Sequence, residues 1–295
     1  AHSYEPSPKD IQAIGKSDLF VYTGGDSDEW VDGMLSSIDK SKLKTLKMMD
    51  TVKLYEEEMS EGMQEEEHEH HHDDKDHHDE DKDHHHDEDK EHHHDDKDNH
   101  DKEHHHDDKE HHHHDGEEGP EMDEHVWTSP ANAIQIVKAL TETISGLDKD
   151  NAQTYQKNAE AYIAKLEKLD KDFHDVIDHA KRKEIIVGDR FPFLYFAKEF
   201  GLTYYAAFPG CSTDTEANPA TIAFLVDKVK EDHIPVVFHI EMSNEQMSKA
   251  IAEATGAKNE LLNAVHNVSD EEFKKGVTYI DLMNHNVKVL KEALN

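Results

Sequence analysis

From His68 to His114 the chain carries no Leu, Ile, Val, Phe, Tyr or Trp, and it reads HEHHHDDKDHHDEDKDHHHDEDKEHHHDDKDNHDKEHHHDDKEHHHH. A segment without apolar side chains has nothing to bury against the entropy of ordering, so it is expected to be disordered in the absence of a ligand. Any fold must be built from the sequence on either side. Imidazole nitrogen and carboxylate oxygen are both ligand types for zinc and its borderline neighbours. A His-rich tract therefore reads as metal binding on composition alone. Its clustered histidines are His84, His85, His86, His92, His93, His94, His104, His105, His106, His111, His112, His113 and His114, and they are the candidate loop ligands. A solvated acidic spacer is the bland alternative. A purification tag is argued against by the tract's length, internal position and interleaved acids. A loose tract discriminates poorly between metals, so the specific function is expected to reside in the flanks.

Those flanks look globular. The formal charge is −36, but 33 acids and 6 lysines fall between Glu56 and Glu124, which leaves only −9 for the remainder of the 295 residues. No basic patch is available to neutralise phosphates, which argues against a nucleic-acid partner. The single cysteine, Cys211, excludes a disulfide framework and a Cys-rich zinc site. No apolar run is long enough to span a membrane. The chain opens at Ala1-His2-Ser3 without an initiator Met or a signal peptide, and reads as a processed or trimmed piece.

The spacing predicts a short helix over 10–16 and strands over 19–23 and 43–49, with an amphipathic helix over 28–38 between them. Beyond the tract, a helix is expected over 131–147. Tyr155, Ala159, Tyr162, Leu166, Leu169, Phe173, Val176 and Ala180 then recur at steps of three and four, one continuous apolar stripe on a helix of roughly 40 Å. The second half alternates: strands at 184–187, 204–208, 235–240 and 261–265, with helices at 191–200, 220–230, 244–255 and 270–294. Such alternation implies parallel sheets with crossover helices, an α/β fold. The long helix reads as a rigid strut between two β/α lobes. The divisions are 1–150 for the first lobe, with its insertion at 64–119, 151–182 for the linking helix and 183–295 for the second lobe.

Ligands of parallel sheets bind beyond the carboxyl ends of the strands. His2, His125 and His266 lie outside regular elements or just past a strand, and Asp189 follows its strand in the same way. Three imidazoles and a carboxylate would close a tetrahedral Zn²⁺ site, whereas Mn²⁺ favours more oxygen and higher coordination. His174, His179, His233 and His285 read as exposed helix histidines. For any one of the first three, a satisfied loop histidine is the competing reading.

The order His2-Ser3-Tyr4-Glu5-Pro6-Ser7-Pro8, an acidic His-rich insertion, Asp123-Glu124-His125-Val126-Trp127 and then a long helix resembles the zinc and manganese substrate-binding proteins of bacterial ABC importers. The likeness is to the zinc branch with a His-rich loop. Glu241-Met242-Ser243-Asn244, Ala254-Thr255-Gly256-Ala257-Lys258 and Thr278-Tyr279-Ile280-Asp281-Leu282-Met283 also resemble that family. The resemblance implies two lobes joined by one long helix, a buried metal between them, no catalysis, an extracytoplasmic location and a membrane permease as partner. His2 matches the first family ligand and His125 the second. The family's third ligand is a His or Glu where this chain reads Val187-Gly188-Asp189-Arg190, so Asp189 is the nearest candidate. His266 falls in the neighbourhood of the fourth, with Glu216 and His239 in reserve. The family's first β/α unit precedes its first ligand, so the N-terminal lobe here reads as truncated.

Zinc capture for an ABC permease is the leading expectation. The tract would act as a tethered collector that raises metal concentration near the site. Binding should weaken below about pH 6 as ligand imidazoles protonate, and a strut helix implies a small lobe movement. The chain is expected to act as a monomer, with any lipid anchor lying upstream. Metal storage by the tract is the alternative from another class, and a surface adhesin with a structural metal is a third. A zinc hydrolase is disfavoured, because no H-E-x-x-H motif is present.

Overall fold

Two parallel sheets organise the computed structural model, which describes residues 6–39, 41–63, 120–212 and 218–295. The tract, His2 and Glu216 lie outside the described residues. The first sheet pairs β1 (Leu19–Tyr22) with β2 (Lys44–Lys47) in parallel. Phe20 and Tyr22 point to one side and pack with Val31, Met34 and Leu35 of α2 (Trp30–Ser37) and with Ile11 and Ile14 of α1 (Pro8–Ile14). Alternation along the strand leaves Val21 on the other side, 37% exposed. Ser7 caps α1 in a reciprocal box with Asp10, with Pro8 at its first turn.

The neck of the tract is an antiparallel contact. Glu56 bridges Met122, the Glu57 amide donates to the Glu121 carbonyl at 2.9 Å, and the Asp123 amide donates to Tyr55 at 3.0 Å. The strand of sequence entering this neck is also pinned to the second half of the protein. Lys198 pairs with Glu58 at 2.6 Å, and the Thr221 hydroxyl donates to the Gly62 carbonyl at 2.9 Å.

After the neck come α3 (Pro130–Leu147) and α4 (Ala152–Ile177), which lie against each other. Then β3 (Glu184–Phe191), α5 (Leu194–Phe200), β4 (Thr203–Pro209), α6 (Pro219–Glu231), β5 (Val236–His239), α7 (Gln246–Thr255) and β6 (Lys258–Leu261) build a parallel sheet in the order β4-β3-β5-β6. Its central strands carry continuous apolar runs, Ile185-Ile186-Val187 and Val236-Val237-Phe238, because both faces are covered there. Ile185 and Val187 of β3 and Val236 and Phe238 of β5 face Leu169, Phe173 and Ile177 of α4, together with α5 and the C-terminal helix. Ile186 and Val237, one residue on, face Leu225 of α6 and Ile251 of α7. β3 leads to β4 on one side and β5 to β6 on the other. The crevice beyond the ends of β3 and β5 is therefore the topological switch point. Among the described residues, no helix is long and apolar enough to cross a membrane.

Three sequence expectations need correction. Asp189 lies inside β3 rather than past its end: the strand bulges at Gly188-Asp189 and re-pairs through Arg190 with Phe208 and Phe191 with Pro209. The last strand is at Lys258–Leu261, not 261–265. Leu262 and Ala264 are buried as a loop, because the Asn263 amide and side chain bond Asn286 instead of a strand. The terminal helix is two helices, α8 (Asp270–Lys275) and α9 (Tyr279–Ala293). Gly276 stops the first with φ 72°, and Thr278 caps the second in a box with Asp281.

Candidate metal centre

His125 lies in a run of buried polar residues, Asp123, Glu124, His125, Thr128 and Ser129, with His125 itself 0% exposed. Buried polar groups must find partners: Glu124 accepts the Ser27 amide at 2.6 Å, and the others are held within the run or at the start of α3. The Asp123 carboxylate accepts the His125 amide at 2.8 Å and lies 3.1 Å from the ring Nδ1. An ionised carboxylate only accepts, so it draws the ring proton to Nδ1 and leaves Nε2 as the nitrogen with a metal-ready lone pair. Asp123 is itself fixed by Tyr195, whose hydroxyl donates to its carbonyl at 2.7 Å. A single 3-10 turn, Val126–Thr128, follows His125, and Ser129 then caps α3 by accepting the Asn132 amide. Gly210, just past β4, closes the floor. A Cβ there would lie 2.9 Å from the Phe191 carbonyl, 3.1 Å from Asp123 Oδ2 and 3.3 Å from His125 Cε1.

His266 arrives from the loop after β6. Its ring centroid is 4.8 Å from that of His125, with the planes at 87°, and Trp127 stands edge-on to both rings, 5.6 Å from His125 and 5.5 Å from His266. Burial pushes the His266 pKa below its ordinary value, and the nearby His125 acts in the same direction against the Glu241 carboxylate. The neutral, ligand-competent ring is thereby favoured. Glu241, just past β5, lies behind it. Burial would raise this carboxyl, but the hydrogen bonds it receives from His266 and from the Ala264 and His266 amides outweigh burial and hold its pKa low.

The structure therefore brings His125 and His266 together. Asp189, 6% exposed on β3, accepts its own neighbour's amide, Arg190, at 2.9 Å. Its oxygens and the two imidazoles do not form a trio with ligand atoms all within 4.8 Å of one another among the described residues. His239 is placed elsewhere, with Nδ1 3.0 Å from Asn259 and Nε2 3.8 Å from Glu245. One trio among the described residues does meet that spacing: Glu57, Glu121 and Cys211, at the neck of the tract. Partial burial and the adjacent Glu57 and Asp26 carboxylates push Glu121 up to about 7. Burial and neighbouring carboxylates also push the Cys211 thiol well above its usual value.

Sequence reading did not assign Asp123, Trp127, Gly210 or Glu241 a part in the site. The first two were within reach, since Asp123 stands two residues before His125 and Trp127 two after. Gly210 and Glu241 follow the expected strands 204–208 and 235–240, the positions where ligands of parallel sheets bind, and that placement was the signal available for them.

An α/β chain with a long helix that brings two imidazoles together suits a metal-binding protein, and its relatives are transport binding proteins rather than enzymes. A model of the periplasmic component A of zinc-uptake complexes matches residues 1–293, and the chain belongs to that zinc-uptake substrate-binding family. It is 34% identical to the high-affinity zinc uptake system protein ZnuA of Bacillus subtilis over 293 residues, 99% of this chain and 77% of the relative. It is 31% identical over 295 residues to the zinc-binding lipoprotein AdcA of Streptococcus pneumoniae, covering 99% of this chain and 49% of the relative. The chain thus spans about half the length of the pneumococcal protein. The Zn(II)-bound ZnuA-like domain of pneumococcal AdcA superposes with a TM-score of 0.68 at 27% identity, over 99% of this chain and 86% of that one. The family is extracytoplasmic, with periplasmic and lipoprotein members.

Proposed function

We propose that this chain captures Zn²⁺ outside the cytoplasm and delivers it to a membrane ABC permease for uptake. The observation that carries this reading is the nearly perpendicular pair of imidazoles, His125 fully buried and His266 largely so. A carboxylate backs each ring, Asp123 at 3.1 Å and Glu241 at 3.7 Å. Neutral imidazoles held by carboxylates suit zinc better than the oxygen-rich, six-coordinate surroundings that favour manganese. In this reading His2 is a further ligand, and Asp189, which is not within ligand spacing of the two imidazoles in this structure, joins them only when metal is bound. The metal lies between two lobes, 1–150 and 183–295, joined by the helix of 151–182. The tract within 64–119 collects metal and raises its concentration near the site, and a lipid anchor on an upstream segment is consistent with the lipoprotein relatives.

The test is a Zn²⁺ titration by calorimetry with Gln64 to Gly119 replaced by a short Gly/Ser linker, beside the same protein carrying His125→Ala and His266→Ala. One tight site that the double substitution removes is the expected result. Tight binding that vanishes with the tract would instead make this a storage protein.

A further inference from the structure

The turn that carries His266 is conformationally unfavourable at one residue. Val265 has φ 60°, in the left-handed region. A β-branched residue is a genuine outlier there, because its Cβ crowds the following carbonyl. The amides on either side of it both donate to one carboxylate: Ala264 to Glu241 Oε2 at 2.7 Å and His266 to Oε1 at 2.6 Å. The Asn267 amide adds a third, longer contact at 3.4 Å. Glu241 sits at the end of β5, and its side chain is only 10% exposed. A strained residue persists only where its surroundings over-determine it: Trp127 and Asn286 hold the loop just before Val265, and Glu241 is the side chain that engages the amides on both sides of it.

We infer that Glu241 is a positioning residue for metal binding. By gripping the amides that flank Val265, its carboxylate stabilises the left-handed turn and presents the His266 ring to His125. The inference rests on the zinc reading above. Glutamine cannot take over the role: it has one acceptor oxygen, and its amide NH₂ would face a backbone N–H. Glycine at 265 should remove the need for the grip, because it adopts positive φ without a Cβ penalty.

The experiment uses the full chain and follows tryptophan emission during titration with chelator-buffered Zn²⁺. Trp127 touches both imidazoles and the tract contains no tryptophan. Glu241→Gln should weaken zinc binding by roughly 10- to 100-fold, the usual cost of losing a group that orients a ligand. Val265→Gly in that background should recover most of the loss, whereas Val265→Ala, which trims the side chain but keeps Cβ, should not. If Glu241→Gln alone does not fold, the Glu241→Gln/Val265→Gly protein should fold and bind. Parent-like affinity in Glu241→Gln overturns the inference. So does a loss that alanine restores as well as glycine, or a double variant that neither folds nor binds. His125→Ala separates the two levels. If the parent shows no tryptophan-reported site that His125→Ala removes, the zinc reading falls and the positioning role falls with it. If that site exists and Glu241→Gln leaves it intact, only the positioning role falls.

Discussion

The indole N–H of Trp127 donates to the carbonyl of Ala264 at 2.9 Å, and each of these residues stands two positions from one of the paired histidines. The bond ties the turn that carries His125 to the loop that carries His266. Tyr279 of α9 steadies the arrangement by donating to the Trp127 carbonyl at 2.8 Å. Trp127→Phe keeps most of the apolar contact and removes the donor, leaving a buried carbonyl unpaired. It should cost about 1–3 kcal/mol of stability, measured by denaturant unfolding. Zinc binding should weaken with it, and parent-like values for both would show that the two segments are held independently.

Asp123→Asn tests the tautomer. An amide can turn its NH₂ toward Nδ1 and move the ring proton to Nε2, where the metal lone pair is needed. Zinc affinity should fall about 10- to 100-fold, with a melting temperature close to the parent's because the side chain's shape is kept. Unchanged affinity would remove Asp123 from the site.

Gly210→Ala should be destabilising by about 1–3 kcal/mol, because its Cβ would press on backbone at Phe191 and on the Asp123 and His125 side chains. Calorimetric unfolding measures the cost, and a zinc titration of the folded variant should show weaker binding. A neutral substitution would mean that the floor beneath His125 yields.

Glu199 supplies a pH dependence away from the metal. Its Oε1 accepts the Ala131 amide at 3.2 Å at the start of α3. Burial and the Asp170 carboxylate push its pKa up to about 7 from an ordinary 4.5. A raised carboxyl holds its proton in the folded state over a range where the unfolded chain has lost it. Its stabilising contribution is therefore full below about 4.5 and declines as pH rises toward 7. Glu199→Gln should flatten that decline in a series of thermal melts between pH 4.5 and 7. An identical slope in parent and variant would assign the proton elsewhere.

Much of the second sheet was legible because Ile185-Ile186-Val187 and Val236-Val237-Phe238 are continuous apolar runs, and sequence of that kind belongs in a sheet covered on both faces. The strand expected at 261–265 looked similar. There, burial comes from Asn286 and Trp127 reaching in, a contact across the fold that no local pattern records. The break between α8 and α9 was written in Gly276 and in the Thr278/Asp281 box, but the continuing helical period hid it. Within the candidate site, the D-x-H-V-W stretch stood out because it resembles a family segment and places His125 outside any regular element. The role of Glu241 did not, because its partners are backbone amides on another segment, and an amide leaves no mark in a sequence.

The antiparallel contact at Glu56 and Met122 fixes the two points between which the tract is strung. For a segment spanning two fixed points, closure entropy grows only with the logarithm of its length, so doubling it costs about 0.6 kcal/mol. The number of histidines strung there can thus change almost freely, while the frame around His125 and His266 keeps its register. The length of the tract and the geometry around His125 and His266 are therefore separate variables in this architecture, and the first changes at little cost to the second.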